Sequence, residues 1–421
     1  MESGNLQLYK RKSFFDSYFL WLRNVDCIAL FLFVVGSVCL SGAGQQQALG
    51  ILLIISSLAL CWLSLRKLTI RLSPEIKMLG VWGGWAALTG PFVAVDLDFL
   101  WDGGIKQMLQ ILLLVAAVYI ISFYRGDMAL KATMFALILG GGIQVIFILL
   151  GGEGGAISGA DTRALGLTKN ANGLGFKMIW ALVAIIMLWP GKTHSGFSRL
   201  FKLIVCFVIL LCAFGVLSSG SRKSLLVFAF VIIAWVWLPL APRSSRGSCL
   251  WRVSIVISIL IFGGSLGAYI MENTLAGERM SKRLDASNNV AEAEEKRVTL
   301  YLEGLEMTAG NPLCGVGMNQ FKVLSSTGMY SHSNYMEPLA TTGIIGFLLY
   351  QGIFFMPLIR ARRVILICNS LEIKYKLRII IIGSVAILLL GLGAPFNNST
   401  TVLPILALFS AYTFRLEKRV R

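Results

Sequence analysis

The stretch Ser331-His332-Ser333-Asn334, continuing through Pro338-Leu339-Ala340-Thr341-Thr342-Gly343-Ile344-Ile345-Gly346-Phe347, closes the one long polar interruption in an otherwise apolar chain. The interruption begins near Met271. It holds His332, one of two histidines, a cluster of basic residues and the turn Asn311-Pro312-Leu313-Cys314-Gly315-Val316-Gly317. Apolar spans flank it on both sides, so any chemistry the chain performs is expected there.

Outward from this stretch, the sequence has the composition of a membrane protein. Charged residues make up 14% of the 421 and mean hydropathy is +0.76, whereas about a quarter of a soluble protein is charged. Apolar runs of roughly 17 to 22 residues, long enough to cross the hydrocarbon core, recur about twelve times. They begin near Cys27, Gln47, Met78, Ile105, Ala129, Leu174, Leu203, Ser224, Trp251, Pro338, Leu377 and Thr400. The expected fold class is all-α: a polytopic inner-membrane protein of about 12 transmembrane helices. Spans 1 to 9 would occupy 1–270, one large helical loop 271–337, and spans 10 to 12 the stretch 338–421. Residues 1–25 are polar, with Lys10, Arg11, Lys12 and Arg23 and no cleavage pattern, so the first span is expected to serve as its own insertion signal.

The 38 Lys and Arg against 21 Asp and Glu give a net charge of +17. With both termini cytoplasmic, roughly two thirds of these cations fall in cytoplasmic segments such as 66–77, 192–202, 243–252, 360–378 and 415–421. The positive-inside rule thus accounts for the charge, and no nucleic-acid partner is implied. The remaining cations oppose that rule and need another reason. Most sit in three places: Arg163 and Lys169 in the loop 151–173, Arg222 and Lys223 in the short turn 218–223, and Arg279, Lys282, Arg283, Lys296, Arg297 and Lys322 in the large loop. All three fall on one membrane face. Eight cysteines show no CxxC and no Cys/His pairing, so neither disulfides nor zinc are expected.

Within the large loop, 292–307 places Val298, Leu302 and Leu305 at helical spacing with Arg297, Tyr301 and Gly304 on a neighbouring face. This predicts an amphipathic helix lying over the bundle, ended by Asn311-Pro312. Gly343-Ile344-Ile345-Gly346 has the form of a small-xxx-small contact at the start of a span, and Gly140-Gly141-Gly142 that of a close contact or a kink.

Histidine is the side chain best suited to moving a proton near neutral pH. His332 precedes a span, where substrate head groups would sit, although a loop histidine bonded to a backbone carbonyl would look the same. His194, in the basic loop 191–202, takes that second, structural reading. Arg163, Arg222 and Arg297 can converge on one anion, since guanidinium groups hold phosphate oxygens bidentately at any relevant pH. Attraction to anionic lipid heads is the competing role for each; Arg222, in a tight turn, has little length for it. Asp96-Leu97-Asp98 is a carboxylate pair of the kind that binds divalent metal. No second acidic cluster nearby completes a shell, and neither metal nor cofactor is expected.

His332-Ser333, nine intervening residues and Gly343-Ile344-Ile345-Gly346 resemble the histidine signature of the bacterial O-antigen ligase and polymerase superfamily. Arg163-Ala164-Leu165-Gly166 through Asn170-Ala171-Asn172 is similar to the family's arginine, glycine and asparagine loop, and Gly220-Ser221-Arg222-Lys223-Ser224-Leu225 to its Ser-Arg turn. Arg297 through the Asn311 to Gly317 turn and Phe321 resembles the stretch preceding the histidine. Phe347 after the signature and Tyr301, where many relatives carry tryptophan, depart from it without removing a reactive group.

The resemblance implies a GT-C-like glycosyltransferase with a periplasmic site. It would transfer a glycan from an undecaprenyl diphosphate donor to a lipid A-core acceptor, metal-independent and inverting, with membrane lipids around it. In that reading His332 is the general base, Arg163, Arg222 and Arg297 hold the diphosphate, and Lys223, Arg283, Asn170, Asn172 and Tyr301 are secondary site residues. An O-antigen polymerase or a protein O-oligosaccharyltransferase would use the same donor. A transporter of lipid-linked sugars is an alternative of another class, for which duplicated halves would be the sign and are not seen.

Overall fold

The computed structural model describes residues 19–40, 71–150, 164, 166–168, 170–188, 199–237, 257, 287–397 and 399–420. Among these, all regular structure is helical. The helices are α1 (Val25–Leu40), α2 (Pro74–Val93), α3 (Lys106–Arg125), α4 (Asp127–Leu149), α5 (Ala171–Leu188), α6 (Arg199–Ser219) and α7 (Arg222–Trp237), followed by α8 (Ser287–Gly310), α9 (Phe321–Leu324), α10 (Met336–Ile367), α11 (Leu371–Gly391) and α12 (Val402–Val420). The apolar runs expected near Cys27, Met78, Ile105, Ala129, Leu174, Leu203, Ser224, Pro338, Leu377 and Thr400 each carry one of these helices. Those expected near Gln47 and Trp251 lie, apart from Ile257, outside the described residues.

Among the described residues, four helical segments are long and apolar enough to cross a membrane: Phe99–Arg125, Asp127–Leu149, Ala171–Leu188 and Met336–Ile367. The first includes the π-helical turn Phe99–Ile105 that leads into α3. With the charge-poor composition, these segments make the chain a membrane protein. Two helices form its interior. α5 is buried along almost its whole length and packs against α4, α6, α7 and α11, while α12 is buried from Val402 to Thr413 against α3, α10 and α11. Gly140 and Gly141 let α4 approach Val38 of α1 and Ala181 of α5 without breaking the helix, so the triple glycine is a contact and not a kink.

Gly343 behaves differently from the small-residue contact expected of it. It takes φ +66 and interrupts α10, and four of the backbone groups around the interruption bond outside the helix. The carbonyls of Ala340 and Thr341 accept the N–H of Val316 and Gly317 at 2.9 and 3.0 Å, and the N–H of Ile344 donates to Pro312 O at 2.9 Å. Thr342 O accepts Trp85 Nε1 of α2 at 3.2 Å. Thr341 and Thr342 donate their hydroxyls back to Glu337 and Pro338 carbonyls, a habit that bends helices. The Asn311 to Gly317 turn therefore lies backbone-to-backbone on α10, and a Cβ at Gly343 would meet the main chain of Leu313 and Cys314.

The far end of the bundle is closed by ion pairs, those of Arg360 buried and those of Lys376 reaching half-exposed carboxylates. Arg360 forks onto Glu75, which is 0% exposed, and its Nε donates to Glu417 at 3.0 Å. Ser410 donates to Glu75 at 2.6 Å, and Lys376 bridges Asp127 and Glu372. These contacts join α2, α4, α10, α11 and α12 at the end opposite His332.

Gly343→Ala would press a methyl into the Leu313 backbone at φ +66, ψ −173, a conformation that by itself costs an L-residue about 1–3 kcal/mol. The detergent-solubilised variant is expected to unfold several degrees below the parent, whereas Gly142→Ala, with open space at its Cβ, leaves Tm unchanged.

Candidate active site

His332 sits in the turn between α9 and α10, at φ +57, a conformation that non-glycine residues rarely hold without support. The support is local and dense. Ser331 N–H donates to the buried Glu337 carboxylate at 2.7 Å, and Ser333 Oγ accepts the N–H of Tyr335 and Met336 at 3.2 Å each, capping α10. The half-buried imidazole lies against the Tyr330 ring, centroids 4.2 Å apart, and makes no hydrogen bond among the described residues.

Asn334 ties this turn to a second segment, the loop 391–397 after α11. Its N–H donates to Gly391 O at 2.8 Å, and its Oδ1 accepts Phe396 N–H at 2.9 Å and the Tyr350 hydroxyl at 2.8 Å. Its carbonyl, left without a helical donor because Pro338 has no N–H, accepts Gln351 Nε2 at 3.0 Å. The same loop anchors two other elements. Lys223 Nζ donates to Gly393 O, and Tyr301 Oη donates to Leu392 O at 3.2 Å. The starts of α7 and α10 and the middle of α8 are thus gathered on three successive carbonyls.

The turn that delivers Lys223 follows from local chemistry. Gly220, at φ +57, ends α6, and Ser221 begins α7, its Oγ accepting from Ser224 N–H at 3.4 Å and from Ser224 Oγ at 2.9 Å. Arg222 and Lys223 therefore fall in the first turn of α7. Lys223 is half-buried, 5.5 Å over the Phe176 ring; Arg222 is exposed, with no hydrogen-bond or ion-pair partner among the described residues. Arg297 on α8 is exposed and likewise without such a partner among them.

Burial holds the His332 pKa below its usual value, and the charges of Arg297 and Lys223 push it the same way. An imidazole so placed is neutral at pH 7 and can accept a proton, while the cations that depress it leave positive charge that can attract an anion. The structure thus brings His332, Arg297, Lys223 and Tyr301 together, with Arg222 on the same turn as Lys223. Asn170 is exposed and caps α5, its Oδ1 accepting Gly173 N–H at 3.2 Å; Asn172 is half-buried in the first turn of that helix. A Cβ at Gly175 of α5 would meet Ser219 and Ser224, and Ala164 N–H donates to Ser218 O at 3.0 Å, so the head of α5 abuts the Arg222 turn. Arg163 and Arg283 lie outside the described residues. Asp96 Oδ1 accepts Phe99 N–H at 2.9 Å, and the Asp96 main chain is bonded on both sides by Gln320.

The loop 391–397 was not among the residues singled out from sequence. Its Gly391-Leu392-Gly393-Ala394-Pro395 punctuation marks a loop before the last helix, but nothing local says that its carbonyls face the histidine turn.

Fold and site together define a class: an all-helical membrane protein carrying a histidine and a cationic cluster at one end of the bundle. Residues 207–351 match the family model described as O-antigen ligase, a stretch that contains Arg222, Lys223, Arg297, Tyr301, His332 and the Gly343 break. The match supports a member of the O-antigen ligase/polymerase superfamily, in agreement with the resemblance of the motifs. No curated protein matches the chain.

Two measurements check this geometry without reference to activity. In a His194→Gln background, His332 is the only histidine, and its carbethoxylation rate against pH is expected to give a pKa below about 6.5. Lys223→Gln and Arg297→Gln each remove a charge that disfavours imidazolium, so each raises that value. Asn334→Ala strands the Phe396 N–H and the Tyr350 hydroxyl, a loss of about 1–3 kcal/mol for each buried group left unpaired, to be read as a lower Tm in detergent.

Proposed function

We propose that the chain transfers a glycan from an undecaprenyl diphosphate donor to a lipid A-core acceptor at the periplasmic face of the inner membrane. The observation that carries the reading is the neutral, unbonded imidazole of His332 beside Arg297 and Lys223, inside the segment that matches the O-antigen ligase family. In this mechanism His332 takes the proton of an acceptor hydroxyl as its oxygen attacks the anomeric carbon from the face opposite the diphosphate. The new glycosidic bond forms, the bond from anomeric carbon to diphosphate oxygen breaks, and the configuration inverts. Arg222 and Arg297, with Lys223 beside them, stabilise the charge that develops on the departing diphosphate. Arg163 and Arg283 would complete that cationic surface, with Asn170, Asn172 and Tyr301 lining it.

The topology proposed with this function has about twelve spans and both termini cytoplasmic. Spans would fill 1–270 and 338–421 around a periplasmic loop 271–337. A polymerase of the same superfamily would share the donor and differ in the acceptor.

His332→Asn tests the base directly, because asparagine tolerates positive φ while lacking imidazole basicity. Transfer is expected to fall by on the order of 10² to 10⁴ with the protein still folded; full transfer would remove His332 from the chemistry. In a deletion strain, loss of capped lipopolysaccharide with long polymer left on the lipid carrier is the expected ligase phenotype. A single repeat unit on lipopolysaccharide would instead mark a polymerase.

A further inference from the structure

Helix α8 has two apolar faces, and the protein uses one of them. Leu300, 1% exposed, and Gly304 turn inward to a small cluster with Phe321, Ala340 and Met336. Val298, Leu302 and Leu305 recur at helical spacing on another face and are 56, 56 and 50% exposed. Arg297 and Tyr301, which belong to the site, run along the strip between the two faces, and Glu303 and Glu306 flank the outer stripe on its other side.

Helix geometry sets the depth at which this stripe lies. Arg362 and Arg363 are exposed toward the far end of α10. A hydrocarbon core of about 30 Å takes about 20 residues of α-helix, and counting that length back from Arg362 reaches the break at Gly343. Ala340, on which α8 rests, lies within about one turn beyond it and Met336 within about two, so α8 sits at the outer margin of an interfacial layer of about 5–7 Å per side. Beyond the end of α8, exposed apolar surface resumes at Leu313, whose backbone lies against Gly343. It passes to Ile344 and Leu348 on the candidate span itself.

We propose that the Val298, Leu302 and Leu305 face of α8 is seated in the bilayer interface, among lipid acyl chains, with the Arg297 and Tyr301 strip at the level of the lipid phosphates. The stripe contains no charged residue, joins a surface that must already face lipid, and carries an arginine on the margin nearest the head groups. α8 then acts as a float that fixes the height of the site above the hydrocarbon. A membrane-borne phosphate would meet Arg297 without leaving the lipid layer.

The test places an environment-sensitive fluorescent amino acid at position 302, or at 303 as a control on the side of the helix turned away from the stripe, in the full chain reconstituted in phosphatidylethanolamine and phosphatidylglycerol nanodiscs. Position 302 is expected to emit to the blue of 303, to be quenched at least twofold by brominated lipid, and to be shielded from aqueous iodide, with 303 less sensitive to brominated lipid. Iodide quenching at 302 as strong as for the same fluorophore free in buffer overturns the proposal, because the face is then in water. Blue-shifted emission at 302 that responds to neither quencher also overturns it, because protein then covers the face, whether 238–286 of this chain or a second copy. Leu305 as a second probe position guards against a local misfold at 302. None of these readouts uses glycan transfer, so they stand or fall apart from the role of His332.

Discussion

A helix that breaks in or near a membrane must find new partners for its freed backbone groups, because little water is available to satisfy them. At Gly343 the partners come from three places: Val316 and Gly317 donate to α10, Pro312 accepts from it, and Trp85 of α2 donates to Thr342 O. The large loop is thereby fastened to the bundle by main-chain bonds, independent of side-chain chemistry. The histidine turn begins only a few residues before this junction. Its height and direction follow from how α10 starts, and these bonds from the loop and α2 hold that start in place.

The bundle has two polar layers built on opposite logics. At the far end, Arg360, Lys376 and Arg125 are each matched to carboxylates, so the buried charges cancel in place. At the His332 end, Arg222 and Arg297 have no carboxylate partner among the described residues, and Lys223 is held by a carbonyl. A paired charge has its field cancelled by its partner; an unpaired one keeps its interaction for a ligand. The asymmetry favours an anion at the His332 end and a structural clamp at the other. The depressed basicity of His332 is the internal sign of that uncancelled charge.

The apolar runs were legible because crossing a bilayer demands a length of apolar sequence that few other structures need, and ten helices stand where such runs begin. The polar stretch with His332 was legible for the complementary reason: cations on the wrong side of the charge bias need a local cause. Other features did not show. Gly343 and Gly346 have the spacing of a packing contact, and sequence spacing does not distinguish close approach from a positive φ. Val298, Leu302 and Leu305 form the more evident apolar stripe on α8. Even so, the face that packs inward is the one with Leu300 and Gly304, because Met336 and Phe321 are shaped to meet a glycine there.

The sequence alone determined that the chain is a helical membrane protein, and it singled out His332 and the basic residues of three loops as groups to locate in the structure. These follow from composition, periodicity and charge, which are properties of local stretches. Tertiary structure alone decided that the carbonyls of Gly391, Leu392 and Gly393 draw Asn334, Tyr301 and Lys223 into one frame, and that Lys223 sits deeper in the site than Arg222. Backbone carbonyls are identical at every position, so no sequence marks which of them will receive a distant donor.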